Sequence, residues 1–434
     1  MKITIMTLGS TGDVYPYLAL GLGLKASGHS VRLATNVRFE KLVRQRGLDF
    51  SPMGNDGHTV TAPGTGGSSL SFLRQCVEFS KTKMRQLFID GQNACQDADA
   101  IIYSTTGYFI GYHIAETRGI PFYGAFLQPI DSTGAFASAF FSELPSWFRV
   151  GRAGYNRLTH FLTTQVPWQL LRPSINQYRQ EIFDLPPLSL RGPFQRIHRE
   201  RHPVIYGYSP AILPKPADWG DWIHVTGYWQ LERESGWTPP QKLVDFLSSG
   251  TTPVYVGFGS TTISNSEETT ELVLNALTQA KQRGILLRGW GGLSQADSSD
   301  DVLMVDTVPH DWLFPQMAAV VHHGGAGTTA AGLRAGVPTI TIPFYADQFF
   351  WGRRVYALGA GPSPIPRKQL DVDQLTDSIH KAVTDSGMRR RVATLGQRLR
   401  AEDGVAEAVR VFHKHWGEDR SRSFRRQFAV SSGI

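Results

Sequence analysis

Cysteine is almost absent from this chain: Cys76 and Cys95 are the only two in 434 residues. Two thiols exclude a disulfide framework and a cysteine-built zinc site, and they suit a protein kept in a reducing cytoplasm. Long apolar runs are missing as well, since no window reaches the roughly 18 continuous apolar residues of a membrane-spanning helix. The opening MKITIMTLGSTGD has a single lysine and a short apolar stretch before a Gly-rich turn. It is too short for a secretory signal and reads as a first strand. Acidic excess is lacking too: 44 Lys and Arg stand against 37 Asp and Glu, a formal charge of +7. Basic and aromatic residues are nowhere interleaved as a nucleic-acid module requires, so no nucleic-acid partner is expected. No cluster of metal-ligand type is visible, so no metal is expected. Hydrophobic residues at 41% and charged residues at 19% rule out a disordered chain or a coiled coil.

The positive charge gathers late, at Arg389, Arg390, Arg391, Arg398 and Arg400 and again at Arg420, Arg422, Arg425 and Arg426. A solvated helix face followed by a tail accounts for this. So does a tail that touches anionic lipid, with Phe424 and Phe428 among its arginines.

Strand-like and helix-like runs alternate along the whole chain, which predicts an α/β protein with parallel sheets. Strands are expected at 2–8, 30–35, 99–104 and 120–126. A second series follows at 253–258, 284–288, 302–305, 318–322 and 337–342. The stretch 135–171 is rich in aromatics without a single period, and Leu213-Pro214-Lys215-Pro216 suits a linker. The organisation expected is a Rossmann-like domain over 1–215, a linker over 216–236 and a second Rossmann-like domain over 237–387. Helices over 388–416 would cross back to the first domain, and a basic tail would fill 417–434. Open parallel sheets bind ligands at the C-terminal ends of their strands. Two of them facing a central cleft would place the function there.

The most informative segment is AVVHHGGAGTT, residues 319–329. A buried strand ends at two histidines, a Gly-rich turn follows, and a helix of small residues begins near Gly327. Glycines let a ligand approach the backbone, and the first helical N–H groups lack partners, which makes an anion seat. His323 adds a donor and Thr328 a hydroxyl. The pattern matches neither the P-loop nor the dinucleotide fingerprint, so a metal-free diphosphate seat is the physical reading. A tight turn with its glycines kept for packing is the alternative. GSTGDVYP at the first strand likewise lacks a dinucleotide fingerprint, which excludes a Rossmann dehydrogenase.

The run from Val308 to Gly361, containing VPHDWLFP and HHGGAGTTAAGLRAGVPTITIPFYADQFFWG, resembles the donor-binding signature of family 1 glycosyltransferases. It is most similar to the sterol glucosyltransferase branch and to antibiotic glycosyltransferases, and GSTGDVYPYLALGLGLKASGHSVRLAT resembles that branch's opening. The resemblance implies the two-domain GT-B fold and inverting, metal-independent transfer of a sugar from a nucleotide diphosphate. On it, His323, Gly325, Gly327, Thr328 and Ser260 would hold the diphosphate, and Asp347 and Gln348 the sugar hydroxyls. Val308 would meet the nucleobase through its backbone.

Asp13, after the first strand, stands where the sterol and antibiotic branches place a carboxylate, and it would be the catalytic base. An N-cap for the following helix is the competing role. The donor implied is UDP-glucose and the acceptor a lipophilic alcohol, a sterol first and a polyketide, macrolide or phenolic aglycone second. The aromatics from Phe136 to Trp168 suit an apolar acceptor wall or a loop packed on its own domain. Many plant relatives carry a ribose-binding glutamate eight residues after the motif histidine; this chain has Ala331 there, which leaves a TDP-sugar open. His29 reads as a structural cap, His322 as a core histidine and Trp290 as a pocket or packing residue. A non-catalytic nucleotide-sugar-binding protein would keep the C-terminal motif without needing Asp13, and a nucleotide-sugar epimerase would need no acceptor. Membrane contact, if made, would be peripheral and salt-sensitive, through surface patches or the tail.

Overall fold

A computed structural model describes residues 1–54, 83–145, 147–148, 150–234, 236–259, 266–288, 293 and 300–431, with side chains described as far as residue 417. Cys76, Ser260 and Trp290 lie outside the described residues. The chain divides into two units: Met1–Pro210 with Pro214–Leu231 and Asp403–Ile434, and Ala211–Leu213 with Glu232–Glu402.

The first unit runs β1 (Lys2–Met6), α1 (Thr11–Ala26), β2 (Ser30–Thr35), α2 (Glu40–Gln45), β3 (Asp49–Pro52), α3 (Met84–Ala94), β4 (Ala100–Tyr103) and α4 (Tyr108–Arg118). It continues through β5 (Phe122–Phe126), α5 (Arg152–Phe183), α6 (Phe194–Arg199), β6 (Val204–Tyr206) and β7 (Ile223–Val225). Its sheet has the order β3-β2-β1-β4-β5-β6-β7, and every pairing in it is parallel. β1 is an interior strand, with Ile3 paired to Val31 of β2 on one side and Ala100 of β4 on the other. Strands buried on both faces explain the near-continuous apolar runs KITIM, AIIY and FYGAF.

The second unit runs α7 (Gln241–Ser248), β8 (Val254–Gly257), α8 (Ser266–Gln279), β9 (Gly284–Leu287), β10 (Val302–Val305), α9 (His310–Leu313) and β11 (Ala319–His322). α10 (Ala326–Ala335), β12 (Thr339–Thr341), α11 (Gln348–Ala357), α12 (Val372–Thr384) and α13 (Ser386–Arg400) complete it. Its sheet, β10-β9-β8-β11-β12, is also parallel throughout. Two parallel-sheet α/β units are therefore present, as the alternating pattern predicts.

β3 and β6 have no counterpart among the expected strands, and three further elements differ from the sequence expectations. β7 falls inside 216–236, so part of the stretch read as linker is the edge strand of the first sheet. The unperiodic aromatic region is largely one helix of 32 residues, α5, which carries Pro167 and Pro173 inside it. α13 belongs to the second unit, and the chain returns to the first only at Asp403.

The returning helix, α14 (Gly404–Ser431), gives Ala408, Val409, Val411 and Phe412 to the core formed by β1, α1, β2 and β5. Phe412 packs on Tyr123 with centroids 4.8 Å apart. Two imidazole pairs add polar ties, His29 Nε2 to His413 Nε2 at 2.7 Å and His224 Nε2 to His415 Nε2 at 2.9 Å. His29 therefore bonds across to the last helix as well as preceding β2.

Candidate active site

Each sheet has a switch point where the strand order reverses, between β1 and β4 in the first and between β8 and β11 in the second. Ligands in open parallel sheets gather outside the carboxyl ends of such strands. The turn after β1 carries Asp13, and the turn after β11 carries the glycine-rich motif.

In the first unit, Ser10 is the N-cap of α1 and Asp13 is its third helical residue. The N-cap role considered for Asp13 is thus filled by Ser10. The carboxylate closes the turn instead: Asp13 Oδ2 accepts from the Ser10 N–H at 2.7 Å and from the Ser10 hydroxyl at 2.9 Å. Both donors converge on one oxygen, so Oδ1 stays outside the clamp. Gly9 takes φ +138°, and a Cβ there would lie 2.4 Å from Asp13 Oδ2, so only glycine lets the carboxylate fold back this closely. The Asn36 side-chain carbonyl accepts from the Gly9 N–H at 3.1 Å, and Arg38 donates to the Gly9 carbonyl at 2.5 Å. Desolvation by the surrounding protein raises the Asp13 pKa above its ordinary value, while the two Ser10 donors and the Arg38 charge pull it back down. The outcome is a carboxylate of raised basicity held in one orientation.

Sequence reasoning missed Ser10 and Arg38. Ser10 had a visible signal, since Ser10-Thr11-Gly12-Asp13 has the S-x-x-acid spacing of a capping box. Arg38 had none, because it comes from beyond β2.

In the second unit, β11 ends at His322, and the turn His323-Gly324-Gly325 leads into α10. Gly325 is the N-cap residue and makes no side-chain cap, so the first helical N–H groups keep no capping side chain. Gly324 takes φ +86°, and a Cβ there would meet the Gln348 carbonyl oxygen at 2.9 Å. That close approach brings the start of α11 against the motif turn. His322 is buried, and its Nδ1 accepts the Gly324 N–H at 2.9 Å, so this histidine braces the turn from inside.

His323 is half-buried, and its Nδ1 has no hydrogen-bond partner among the described residues. Burial, with the nearby His310, pushes its pKa down to about 4, so the imidazole is neutral near pH 7. A neutral ring with an orphaned buried nitrogen, beside uncapped helical N–H groups, suits an anionic oxygen. Gly259, at the end of the strand that leads to Ser260, would place a Cβ 3.1 Å from His323 Cε1, so that turn adjoins the same ring. Thr328 and Gly327 lie in the first turn of α10, Thr328 part-buried and Gly327 exposed.

Asp347 and Gln348 open α11. Gln348 is buried, and its side-chain Oε1 accepts from the N–H groups of Phe344 at 2.8 Å and Tyr345 at 3.2 Å, which leaves its amide NH2 as the donor. Asp347 Oδ2 accepts from Trp351 Nε1 at 3.0 Å, which fixes its carboxylate at the helix start. Val308 is buried in the cluster of Leu313, Val320 and Val337, so its side chain belongs to the core. His310, two residues on, stacks on Phe314 with centroids 4.2 Å apart. Within this unit, then, the fold gathers His323, Gly325, Gly327 and Thr328 in one turn and packs Gln348 against it. Among the described residues no group of three or more metal-ligating side chains forms.

A family model of the glycosyltransferase family 28 N-terminal domain matches residues 3–136, and one of the erythromycin biosynthesis protein CIII-like C-terminal domain matches residues 292–412. Sterol 3-beta-glucosyltransferase UGT80B1 of Arabidopsis thaliana is 38% identical over 96% of this chain and 68% of its own length. Sterol 3-beta-glucosyltransferase UGT80A2 of the same plant is 38% identical, over 96% of this chain and 66% of its own. The sterol 3-beta-glucosyltransferase of Emericella nidulans is 38% identical over 95% of this chain, which spans only 30% of that longer protein. Among solved structures, the calicheamicin glycosyltransferase CalG4 superposes with a TM-score of 0.66 at 18% identity, covering 96% of this chain and 98% of that one. The glycosyltransferase VinC in complex with DTDP gives 0.66 at 19% identity, covering 95% and 100%.

Proposed function

The chain belongs to the glycosyltransferase family that includes the sterol 3-beta-glucosyltransferases, and from that premise we propose that it moves glucose from UDP-glucose to a sterol hydroxyl with inversion. Its fold is GT-B. The observation that carries the proposal is the 38% identity to a sterol enzyme across 96% of the chain.

In the proposed reaction the acceptor oxygen attacks the anomeric carbon and its proton passes to Asp13 Oδ1, the oxygen outside the Ser10 clamp. The bond from the anomeric carbon to the diphosphate breaks, and the nucleoside diphosphate leaves from the opposite face with the electron pair. His323, Gly325, Gly327 and Thr328 receive that charge at the start of α10, with Ser260 as a further contact, and no metal takes part. Donors of this kind are each worth about 3–4 kcal/mol when desolvated. Asp347 and the Gln348 amide bind sugar hydroxyls, and the Val308 backbone meets the nucleobase. A second reading, a natural-product aglycone with a TDP-sugar, is favoured by Ala331 standing where a ribose carboxylate would.

The test crosses UDP-glucose, UDP-galactose and TDP-glucose with sterols and phenolic aglycones, with products read by mass. A steryl hexoside from UDP-glucose is expected, and glycosylation of phenolics alone would sink the sterol assignment. In the same assay Asp13→Asn should lower turnover by about 10²–10⁴-fold and leave the melting temperature unchanged. Full activity in that variant would remove Asp13 from the chemistry.

A further inference from the structure

β11 is three apolar residues followed by a histidine. Ala319, Val320, Val321 and His322 are all fully buried, and burial alone would favour a fourth apolar side chain. His322 pairs with Gly257 of β8 on one side and Thr341 of β12 on the other, and its carbonyl accepts the Ile342 N–H at 2.8 Å. Its Nδ1 accepts the Gly324 N–H at 2.9 Å, which puts the ring proton on Nε2. That Nε2 has no hydrogen-bond partner among the described residues. An unsatisfied donor at full burial costs stability that valine or leucine would not, so the benefit of this side chain lies at Nδ1. Burial, with His323 and His310 nearby, holds the imidazole well below its ordinary pKa and keeps the Nδ1 lone pair available near pH 7.

The amide that His322 holds belongs to the residue of the motif turn with the most conformational freedom. Gly324 takes φ +86°, and a Cβ there would meet the Gln348 carbonyl oxygen at 2.9 Å, so the position requires glycine. Glycine also lets the peptide between His323 and Gly324 rotate at little steric cost. Such a rotation would swing the His323 carbonyl dipole and shift Gly325, from which α10 starts. The helix makes its first internal bond at Thr329, whose N–H reaches the Gly325 carbonyl at 2.9 Å. The N–H groups of Ala326, Gly327 and Thr328 therefore precede the helical ladder, and the turn before them sets their direction. We propose that His322 is a positioning residue of the donor site: its Nδ1 locks the Gly324 amide and thereby aims these three N–H groups and the His323 ring at a nucleoside diphosphate. The role rests on the transferase reading given above and adds to it a buried residue that acts through the backbone.

The test has two readouts on the full chain. Hydrogen exchange of the segment 322–326, followed by mass without nucleotide, reports the bond itself, and calorimetry with UDP reports its consequence. His322→Leu exchanges one unsatisfied buried donor, the Nε2–H, for another, the Gly324 N–H, so its melting temperature should stay near that of the wild type. Exchange at 322–326 should speed up in this variant, and UDP should bind about tenfold more weakly, the equivalent of one net hydrogen bond. Its KM for UDP-glucose should rise in step, with the KM for the acceptor unchanged. His322→Asn sets an amide oxygen close to the place of Nδ1, so it should regain the exchange protection and bind UDP within about twofold of the wild type. His322→Leu that binds UDP like the wild type would overturn the role, as would His322→Asn that fares no better than His322→Leu. Affinity lost only in proportion to the melting temperature would overturn it too, and would leave His322 a structural residue. A wild type that binds no UDP would bring down the donor reading itself, and the exchange comparison, made without nucleotide, tells that failure from an unlocked Gly324.

Discussion

At the scale of the residue, the proposed base is defined by its neighbour. Two donors from Ser10, its N–H and its hydroxyl, meet one oxygen of the Asp13 carboxylate. They lower a pKa that desolvation has raised. Ser10→Ala keeps the backbone donor and removes the hydroxyl, so the Asp13 pKa should climb. A base must be ionised to work, so the acid limb of the kcat/KM profile should move to higher pH with its plateau kept. The lost hydroxyl should also cost the first turn of α1 about 0.5–2 kcal/mol, as capping residues do. A profile that stays in place while stability falls would leave Ser10 a purely structural part. His323 shows what sequence could give at this scale. Its place after a buried strand was legible, whereas its neutrality was not, because the depression comes from burial and from His310.

At the scale of the element, legibility followed burial on both faces. β1, β2, β4 and β8 were readable because parallel strands sandwiched between helices need continuous apolar runs. β6 and β7 have three residues each and sit among prolines and glycines, too short for a period to register. α5 defeated the pattern for another reason: in its first half Asn156, Thr159 and His160 are buried while Leu158 and Phe161 are exposed, so the stripe is reversed there, and Pro167 and Pro173 interrupt the helix. The donor turn was legible as chemistry, since a strand, glycines and small helical residues in that order have few other uses. That Gln348 would pack on Gly324 was not legible, because 24 positions separate them and only tertiary folding joins them. One prediction belongs here. Asn156 Nδ2 donates to the Gly134 carbonyl at 2.9 Å, and Asn156→Ala should leave that carbonyl without its donor, at about 1–3 kcal/mol for a buried unsatisfied group. Chemical denaturation would measure it, and a variant as stable as the wild type would show that this inward bond does not hold 130–138 in place.

At the scale of the whole molecule, acid should be the weak point. Burial pushes His224, His310 and His323 down to about 4, and holds His113 and His322 well below their usual value. A group whose folded pKa is depressed binds fewer protons in the fold than in the unfolded chain, so stability rises with pH. The contribution of these five is complete above the ordinary histidine value of 6.5 and is lost as pH falls towards about 4. Asp13 and Asp131, whose carboxyl pKa values are raised, act in the opposite sense but are fewer. Thermal unfolding followed from pH 7.5 to 4.5 (on the order of the window where histidines titrate) should show the melting temperature dropping below neutrality. His224→Gln, which removes one of the two imidazole ties to α14, should make that drop shallower. A profile flat across this range would contradict the histidine assignment.

The return of α14 to the first unit also bears on how the chain is made. The sheet synthesised first acquires the last wall of its core, Ala408 to Phe412, only after Glu232–Glu402 has been translated. At about 5–20 residues per second, that delay is roughly ten to thirty seconds. Throughout it the nascent N-terminal half displays an open greasy seam beside β1, while the second unit has everything it needs to close. Birth order and completion order are therefore reversed in this protein: the half made first is the half completed last.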